Sequence, residues 1–194
     1  MSHRIDRAAD AIRDGELVVY PTETVYGLGA DALDRVAVER VFAAKGRDRN
    51  NPISLGVPDL DAALAYTHPT DRERRFMHEF LPGPVTVLVR KADEVPDVLT
   101  AGRERVGVRI PDHDLALALL ERVPPVTATS ANVSGRPSAR GVPDLDSGIR
   151  DAGAVVLDGG ETPGAESTVV DVEAGEIVRR GALADRIETW LQTE

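Results

Sequence analysis

Cysteine is absent from this chain of 194 residues, which excludes disulfide bonds, thiolate nucleophiles and cysteine–zinc sites. Histidine is scarce as well, and the four histidines lack the spacing of a metal-binding pair. A chain of this length can bury roughly two-thirds of its unfolded surface, so its fold requires neither a disulfide nor a metal. The composition therefore predicts neither a cysteine–zinc site nor a histidine metal cluster.

Long apolar runs are missing too, because none approaches the roughly 18 residues of a membrane-spanning helix. The N-terminus does not resemble a signal peptide, and we therefore expect a cytoplasmic protein. No internal repeat, low-complexity tract or linker divides the chain. A single domain over residues 1–194 is the expected organisation.

Lysine is nearly absent: of the 23 basic residues only Lys45 and Lys91 are lysines, and the other 21 are arginines. The net charge of −10 disfavours a broad nucleic-acid surface, since such surfaces depend on clustered basic residues. An acidic, lysine-poor composition with only three phenylalanines is typical of proteins from salt-loving organisms. We therefore expect the folded state to be more stable at high salt.

Two apolar patterns alternate along the chain and predict its secondary structure. Runs rich in β-branched residues predict strands at 17–20, 53–57, 85–89, 106–110, 126–128, 154–157, 167–172 and 177–180. Helical spacing predicts helices at 5–13, 34–44, 59–66, 71–80, 112–121 and 182–191. The segment 93–105 shows neither pattern and is expected to be irregular. Strands alternating with helices early, then following one another closely, predict an α/β domain with a mixed twisted sheet.

The polar stretch 20–31 begins where the first predicted strand ends, and it is rich in hydroxyl groups and glycines. A helix follows, with Asp34 as its N-cap and Gly46 as its C-terminal glycine. Lys45 and Arg47 flank that glycine. Since arginine is used almost everywhere else, a lysine at position 45 indicates a point-charge contact with a phosphate or carboxylate. The alternative is an ordinary helix end with two solvated cations.

A second polar stretch, 129–138, also follows an apolar strand. Its side chains either bind a ligand or form a Ser/Asn turn that bonds its own backbone. The sequence lacks the glycine patterns of dinucleotide and P-loop sites, and no serine lies in a GxSxG motif. A pocket built from Lys45, Arg47, Arg109 and Arg179 would suit an anionic ligand with several oxygens, such as ATP together with a carboxylate.

At these residues the chain resembles the YrdC-like family of threonylcarbamoyl-AMP synthases. The matching segments follow one another in the family's order. They are 21–30 (PTETVYGLGA), 45–52 (KGRDRNNP), 82–85 (PGPV), 108–111 (VRIP), 130–138 (SANVSGRPS), 166–170 (ESTVV) and 179–181 (RRG). The resemblance implies an open twisted mixed sheet with a concave groove, helices on its outer side, and the short, single-domain form of the family.

The reaction that the resemblance implies is that of a nucleotidyltransferase. It joins L-threonine, bicarbonate and ATP, with Mg²⁺, into threonylcarbamoyl-AMP and pyrophosphate for the threonylcarbamoyladenosine modification of tRNA. Further partners would be tRNA or the threonylcarbamoyl-transferase complex. Two alternatives stay open: an RNA-binding YrdC-like module without adenylate chemistry, and a YrdC-like protein that acts on another carbamoyl compound.

The resemblance also implies roles for individual residues. The implied threonine ligands are Thr24, Arg109 and Ser167; the implied ATP ligands are Arg47, Asn51, Ser130, Asn132, Ser138 and Arg179; the implied catalytic residues are Lys45 and Arg47. None is implied as a metal ligand. Two departures from the family pattern are Gly56, where many relatives carry a histidine that helps to hold threonine, and Arg180, where a proline is usual.

Overall fold

The structure is a computed structural model that describes residues 2–193. Its strands are β1 (Leu17–Tyr20), β2 (Gly27–Gly29), β3 (Ser54–Gly56), β4 (Val85–Arg90), β5 (Arg105–Arg109), β6 (Val126–Ser130), β7 (Gly153–Val156), β8 (Thr168–Asp171) and β9 (Glu176–Arg179). Its helices are α1 (Ser2–Arg13), α2 (Arg35–Lys45), α3 (Leu60–Leu64), α4 (Asp71–Phe80), α5 (Asp97–Thr100), α6 (Asp114–Leu120), α7 (Ser147–Ala152) and α8 (Ala184–Thr193).

Within residues 2–193 the strands form one nine-stranded sheet in the order β7-β1-β2-β6-β3-β5-β4-β8-β9. Three neighbouring pairs are parallel (β1 with β7, β3 with β5, β4 with β8), and the others are antiparallel. The sheet is open, because β7 and β9 lie at its two edges. The predicted α/β fold with an open mixed sheet is thus confirmed. None of the helices in the described part of the chain is long and apolar enough to cross a bilayer.

Alternation along each strand divides the sheet into two faces. On β4, Val85, Val87 and Val89 point outward and pack with the aromatic side chains of α4 and α8. Helices α2, α5 and α7 cover the outer face near β1, β2 and β3. Thr86 and Leu88, at the intervening positions of β4, face the inner side. Helices α1 and α6 pack at the β1 end of the inner face, and the rest of that face forms the groove.

Helix α2 forms where its N-cap residue and its C-terminal glycine predicted it. The Asp34 side chain accepts a hydrogen bond from the backbone N–H of Val36, and Gly46 ends the helix in the left-handed conformation with φ 55°. The predicted end of this helix, with Lys45 before the glycine and Arg47 after it, is therefore confirmed. Both cations lie at this end of the helix: Arg47 lines the groove, and Lys45 is buried outside its lining.

Strand β2 was not predicted, because its segment was read as part of the polar loop. Glycine has a low intrinsic preference for strands, so only pairing with β1 and β6 reveals this one. The aromatic ring of Tyr20 explains the two glycines. A Cβ atom would lie 2.9 Å from its Cζ at Gly27 and 2.9 Å from its Cε1 at Gly29.

Two further differences concern short helices. The segment 93–105, expected to be irregular, contains α5, and its last residue, Arg105, begins β5. Helix α7 and a 3₁₀ turn at Val142–Asp144 were not predicted. Each spans six residues or fewer, which is too short for a helical period to be visible in the sequence.

We expect the melting temperature to rise between about 0.1 M and about 2 M KCl. The 33 acidic residues exceed the 23 basic ones, and salt shortens the range of their repulsion from about 10 Å at 0.1 M to about 3 Å at 1 M. Salt also weakens exposed ion pairs such as Arg49–Glu39, but pairs of this kind contribute little to stability. Thermal unfolding followed by circular dichroism across a KCl series tests this. A flat or falling melting temperature would contradict it.

Candidate active site

The inner face of the sheet carries a cavity of about 790 Å³, within the size range of small-molecule sites. Seven of the sequence-predicted site residues line it: Thr24, Arg47, Asn51, Arg109, Ser130, Ser167 and Arg179. The three that lie outside its lining are Lys45, Asn132 and Ser138. The fold therefore gathers most of the predicted threonine and ATP ligands around one space, although they come from distant parts of the chain.

Gly107, which lines the cavity, leaves room for side chains from the two neighbouring strands. At Gly107 on β5, a Cβ atom would lie 2.3 Å from Ser54 Oγ and 2.8 Å from Thr86 Cγ2. The side chains of Ser54 on β3 and Thr86 on β4 therefore lie over this glycine. The resulting floor presents backbone and small hydroxyl side chains to a ligand.

Arg109 lies at the end of β5, is only 7% exposed, and is held by three oxygen atoms. One guanidinium nitrogen, Nη1, donates to the backbone carbonyls of Gly83 and Ile110, and Nη2 donates to Glu23 Oε1 at 2.6 Å. A guanidinium has five N–H donors. Five minus these three leaves two N–H groups for a ligand, the number that a carboxylate accepts in a bidentate pair.

Glu23 belongs to the site although sequence reasoning gave it no role. Its carboxylate pairs with Arg109, and its second oxygen, Oε2, is buried without a hydrogen-bond partner in the described part of the chain. The signal that could have found it is a carboxylate between two threonines in a loop that follows a buried strand. Thr86 was missed as well, and its signal was a single hydroxyl within the valine run of β4.

The predicted threonine and ATP ligands meet at Ser167. Its hydroxyl oxygen lies 3.1 Å from Thr86 Oγ1 and accepts a hydrogen bond of 3.0 Å from Arg179 Nη2. Arg179 Nη2 also donates to the Ser167 carbonyl at 2.9 Å, and its Nη1 lies 3.5 Å from Glu166 Oε2. Two substrates bound by these two groups of residues would therefore adjoin each other.

Arg47 faces the same space from the helix end. Its Nε and Nη2 each donate at 2.9 Å, to the carbonyls of Asn51 and Pro52 respectively, which fixes the plane of the guanidinium. Burial, together with the nearby charge of Arg179, lowers the pKa of Arg47. Two guanidinium groups that repel each other across a cavity are stabilised by an anion placed between them.

Lys45 is buried and lies outside the cavity lining. It is 1% exposed, so the alternative of a solvated helix end is wrong. Its ammonium donates to the carbonyl of Ser130, to the carbonyl of Asn132 at 2.7 Å and to Asn132 Oδ1 at 3.3 Å. All three N–H groups thereby have acceptors within the protein. The contact of Lys45 with a ligand oxygen stays a prediction. Burial, with a smaller contribution from Arg47, lowers the pKa of Lys45 to about 8.

These contacts make Lys45 the anchor of the loop at 130–138. The backbone carbonyl of Lys45 also accepts a hydrogen bond of 2.8 Å from the N–H of Ser134. Asn132 closes the loop on itself, since its Nδ2 donates to the carbonyl of Arg136 at 2.7 Å. Asn132 thus bonds the loop's own backbone, as the turn interpretation predicted. Ser130 lines the cavity, and its binding of a ligand stays a prediction.

Ser138 lies beside the cavity lining, 3.5 Å from Glu166 Oε1.

A metal ion bound by the protein alone would need several ligand side chains close together. Within residues 2–193 no three histidine, aspartate or glutamate side chains come close enough together to hold one.

Comparison with known proteins gives concordant results. The family model Sua5_yciO_yrdC, described as "Telomere recombination", matches residues 10–181. The threonylcarbamoyl-AMP synthase of Pyrococcus abyssi is 43% identical over 173 residues, which cover 87% of this chain and 51% of that protein. The enzyme of the same name from Bacillus subtilis is 42% identical over 175 residues, which cover 86% of this chain and 49% of that one. The chain spans about half the length of these curated relatives.

Structural comparison agrees. The crystal structure of P. abyssi Sua5 complexed with L-threonine matches with a TM-score of 0.89 at 39% sequence identity. The match covers 97% of this chain and 57% of that one. The same fold is therefore present in both proteins.

Proposed function

The chain belongs to the Sua5/YciO/YrdC family, and from that premise we propose that it is an L-threonylcarbamoyladenylate synthase. It would convert L-threonine, bicarbonate and ATP into threonylcarbamoyl-AMP and pyrophosphate. One observation carries the proposal: a single cavity is lined both by the predicted threonine ligands and by the predicted ATP ligands. Relatives at 43% and 42% identity bear the name of this activity, and one solved relative holds L-threonine.

The amino-acid end of the cavity is the end at Arg109. Its two remaining N–H groups suit the carboxylate of L-threonine, and the ion pair with Glu23 holds the guanidinium in place. The hydroxyl groups of Thr24 and Ser167 flank the same space and can bond the polar groups of the substrate. This assigns L-threonine to the three residues that the family resemblance implies.

The nucleotide end is the end at Arg47 and Arg179. Their guanidinium groups suit the phosphates of ATP, and Asn51 and Ser130 add further polar groups to the lining. Bound to ATP as part of that substrate, Mg²⁺ would neutralise phosphate charge. Lys45 and Asn132 would position Ser130 for its contact with ATP, because the Lys45 ammonium donates both to the Ser130 carbonyl and to Asn132 Oδ1. Ser138, which lies next to Glu166, would also contact ATP.

The chemical step requires little covalent participation by the protein. The amino group of threonine adds to carbon dioxide with loss of a proton, or condenses with bicarbonate with loss of water, and forms a carbamate. A carbamate oxygen then attacks the α-phosphorus of ATP. The bond from the α-phosphorus to the bridging oxygen breaks, and pyrophosphate leaves with that oxygen. Positioning of the two substrates and stabilisation of the phosphate charge by Arg47 and Arg179 supply the catalysis. The product would serve the threonylcarbamoyladenosine modification of tRNA.

We expect the purified protein to release pyrophosphate from ATP only when L-threonine and bicarbonate are both present. The assay supplies ¹⁴C-bicarbonate and follows pyrophosphate together with a labelled adenylate. Reactions lacking threonine, lacking bicarbonate or containing D-threonine are the controls. Pyrophosphate release that does not depend on threonine would contradict the proposal. Tight RNA binding without any pyrophosphate release would favour the RNA-binding alternative instead.

A further inference from the structure

Tyr20, the last residue of β1, is a buried residue whose hydroxyl group has no hydrogen-bond partner in the described part of the chain. The residue is 3% exposed and lines the cavity, and its hydroxyl makes no hydrogen bond with any of residues 2–193. Buried tyrosine hydroxyls usually find a partner. Tyr26 shows the usual case, because its hydroxyl donates to the carbonyl of Gly160 at 2.8 Å. The Tyr20 hydroxyl is therefore available to a ligand.

Three glycines determine where this hydroxyl lies. The Tyr20 ring extends over Gly27 and Gly29, where a Cβ atom would come within 2.9 Å of it. At Gly56 on β3, a Cβ atom would lie 3.6 Å from the Tyr20 hydroxyl oxygen and 3.2 Å from Val126 Cγ2. The ring thus lies across the inner face, and its hydroxyl reaches the middle of the sheet.

The register of the sheet places Arg109 next to this hydroxyl. Gly56 and Arg109 are partners across the parallel pair β3–β5, so their Cβ positions point to the same face from strands about 4.8 Å apart. Because position 56 is a glycine, no side chain of that residue stands between the Tyr20 hydroxyl and Arg109. A donor and a cation therefore face the same small volume of the cavity.

The electrostatic setting keeps the Tyr20 hydroxyl protonated. Burial raises the pKa of Tyr20 to about 12, with Arg109 acting in the opposite direction and Glu23 in the same direction. At neutral pH the group is consequently a hydrogen-bond donor. A carboxylate has about four acceptor sites, so one held by two N–H groups of Arg109 can still accept another hydrogen bond.

We propose that the Tyr20 hydroxyl donates a hydrogen bond to the carboxylate of the amino acid held by Arg109, which makes Tyr20 an additional substrate-binding residue. The inference rests on the proposed function, because it takes that amino acid to be L-threonine. It assigns a role to a residue that the sequence motifs did not single out. It also explains why the ring lies on glycines, since bulkier residues would push the hydroxyl away from the groove.

The test uses Tyr20→Phe, which removes one oxygen atom and keeps the ring on its glycines. Isothermal titration calorimetry would measure the Kd of L-threonine, of L-2-aminobutyrate, which lacks the side-chain hydroxyl, and of MgATP. We expect the Kd of both amino acids to rise about 10-fold or more, and by the same factor, because a hydrogen bond to a charged group is lost. The Kd of MgATP should not change. Tyr66→Phe, outside the cavity lining, is the matched control and should behave as wild type.

Several outcomes would overturn the inference. Unchanged amino-acid affinity in Tyr20→Phe would show that the hydroxyl does not bind the substrate. A loss confined to L-threonine would place the hydrogen bond on the side-chain hydroxyl of the substrate, and weaker MgATP binding would place Tyr20 at the nucleotide end. If L-threonine binding depends on Tyr20 but no pyrophosphate is released, the inference holds while the proposed function fails. If the wild-type protein shows threonine-dependent turnover but Tyr20→Phe binds L-threonine with unchanged affinity, the proposed function holds while the inference fails.

Discussion

Replacement of Arg109 by methionine is expected to raise the KM for L-threonine on the order of 100-fold or more, with a far smaller effect on the KM for ATP. Methionine keeps much of the apolar side chain but removes the guanidinium that pairs with the carboxylate, and losing a buried charge partner costs about 2–5 kcal/mol. Steady-state kinetics of pyrophosphate release, with each substrate varied in turn, measure both constants. Equal increases in the two KM values would contradict the assignment of Arg109 to the amino-acid end.

The same replacement leaves Glu23 as a buried charge without its partner. We therefore expect Arg109→Met to lower the free energy of unfolding by about 3–5 kcal/mol. The double variant Arg109→Met/Glu23→Gln removes that charge and should recover much of the stability, while the KM for threonine stays high. Urea denaturation of both variants separates folding from binding. A double variant that regains threonine affinity together with stability would show that Arg109 acts only as a structural ion-pair partner.

The second large effect is expected at Lys45. Lys45→Met should lower kcat on the order of 100-fold or more and the free energy of unfolding by about 2–4 kcal/mol. The reason is that the acceptors on Ser130 and Asn132 lose their donor, so the end of β6 at Ser130 and the loop that follows it lose an anchor. The kcat is measured at a temperature at which denaturation curves show the variant to be folded. Wild-type kcat at equal folded content would refute a positioning role.

Lys91 offers a matched control, because it is the second of the two lysines in the chain. It donates to the carbonyl of Val95 at 2.8 Å and pairs with Asp97 at 3.0 Å, away from the cavity lining. Lys91→Met removes the same functional group, and we expect it to leave kcat unchanged. A comparable loss in both variants would mean that the effect of Lys45→Met is not specific to the loop at 130–138.

The pH dependence of turnover provides an independent check on Lys45. Its pKa of about 8 means that the ammonium carries three N–H groups below that pH and becomes an amine with two above it. Three acceptors then share two donors, and we expect kcat to fall as the pH rises through about 8. Lys45→Met lacks the titrating group, so the residual activity of the variant should not show this decline. A wild-type profile that is flat from about pH 7 to 9 would contradict the expectation.

Local signals were sufficient for most of the secondary structure. Helix α4 begins and ends where it was predicted, because Thr70 and Glu73 form a capping box and Pro82 follows soon after the last turn. Strand β4 was recognised from its β-branched residues alone. Such signals reach only a few residues along the chain. For that reason they failed at β2, whose glycines are explained by a ring on the neighbouring strand.

The sequence by itself determined the α/β class, the strand-end loops that carry polar groups and, through the order of its motifs, the family. Only the tertiary structure decided what those groups contact. Lys45 meets Ser130 across 85 positions of the chain, and Arg109 meets Glu23 across 86. Contacts over such separations are set by strand order and register, which no local pattern encodes. The packing of distant strands thus places the Lys45 ammonium against Ser130 and Asn132, and brings Tyr20 to the same part of the cavity as Arg109.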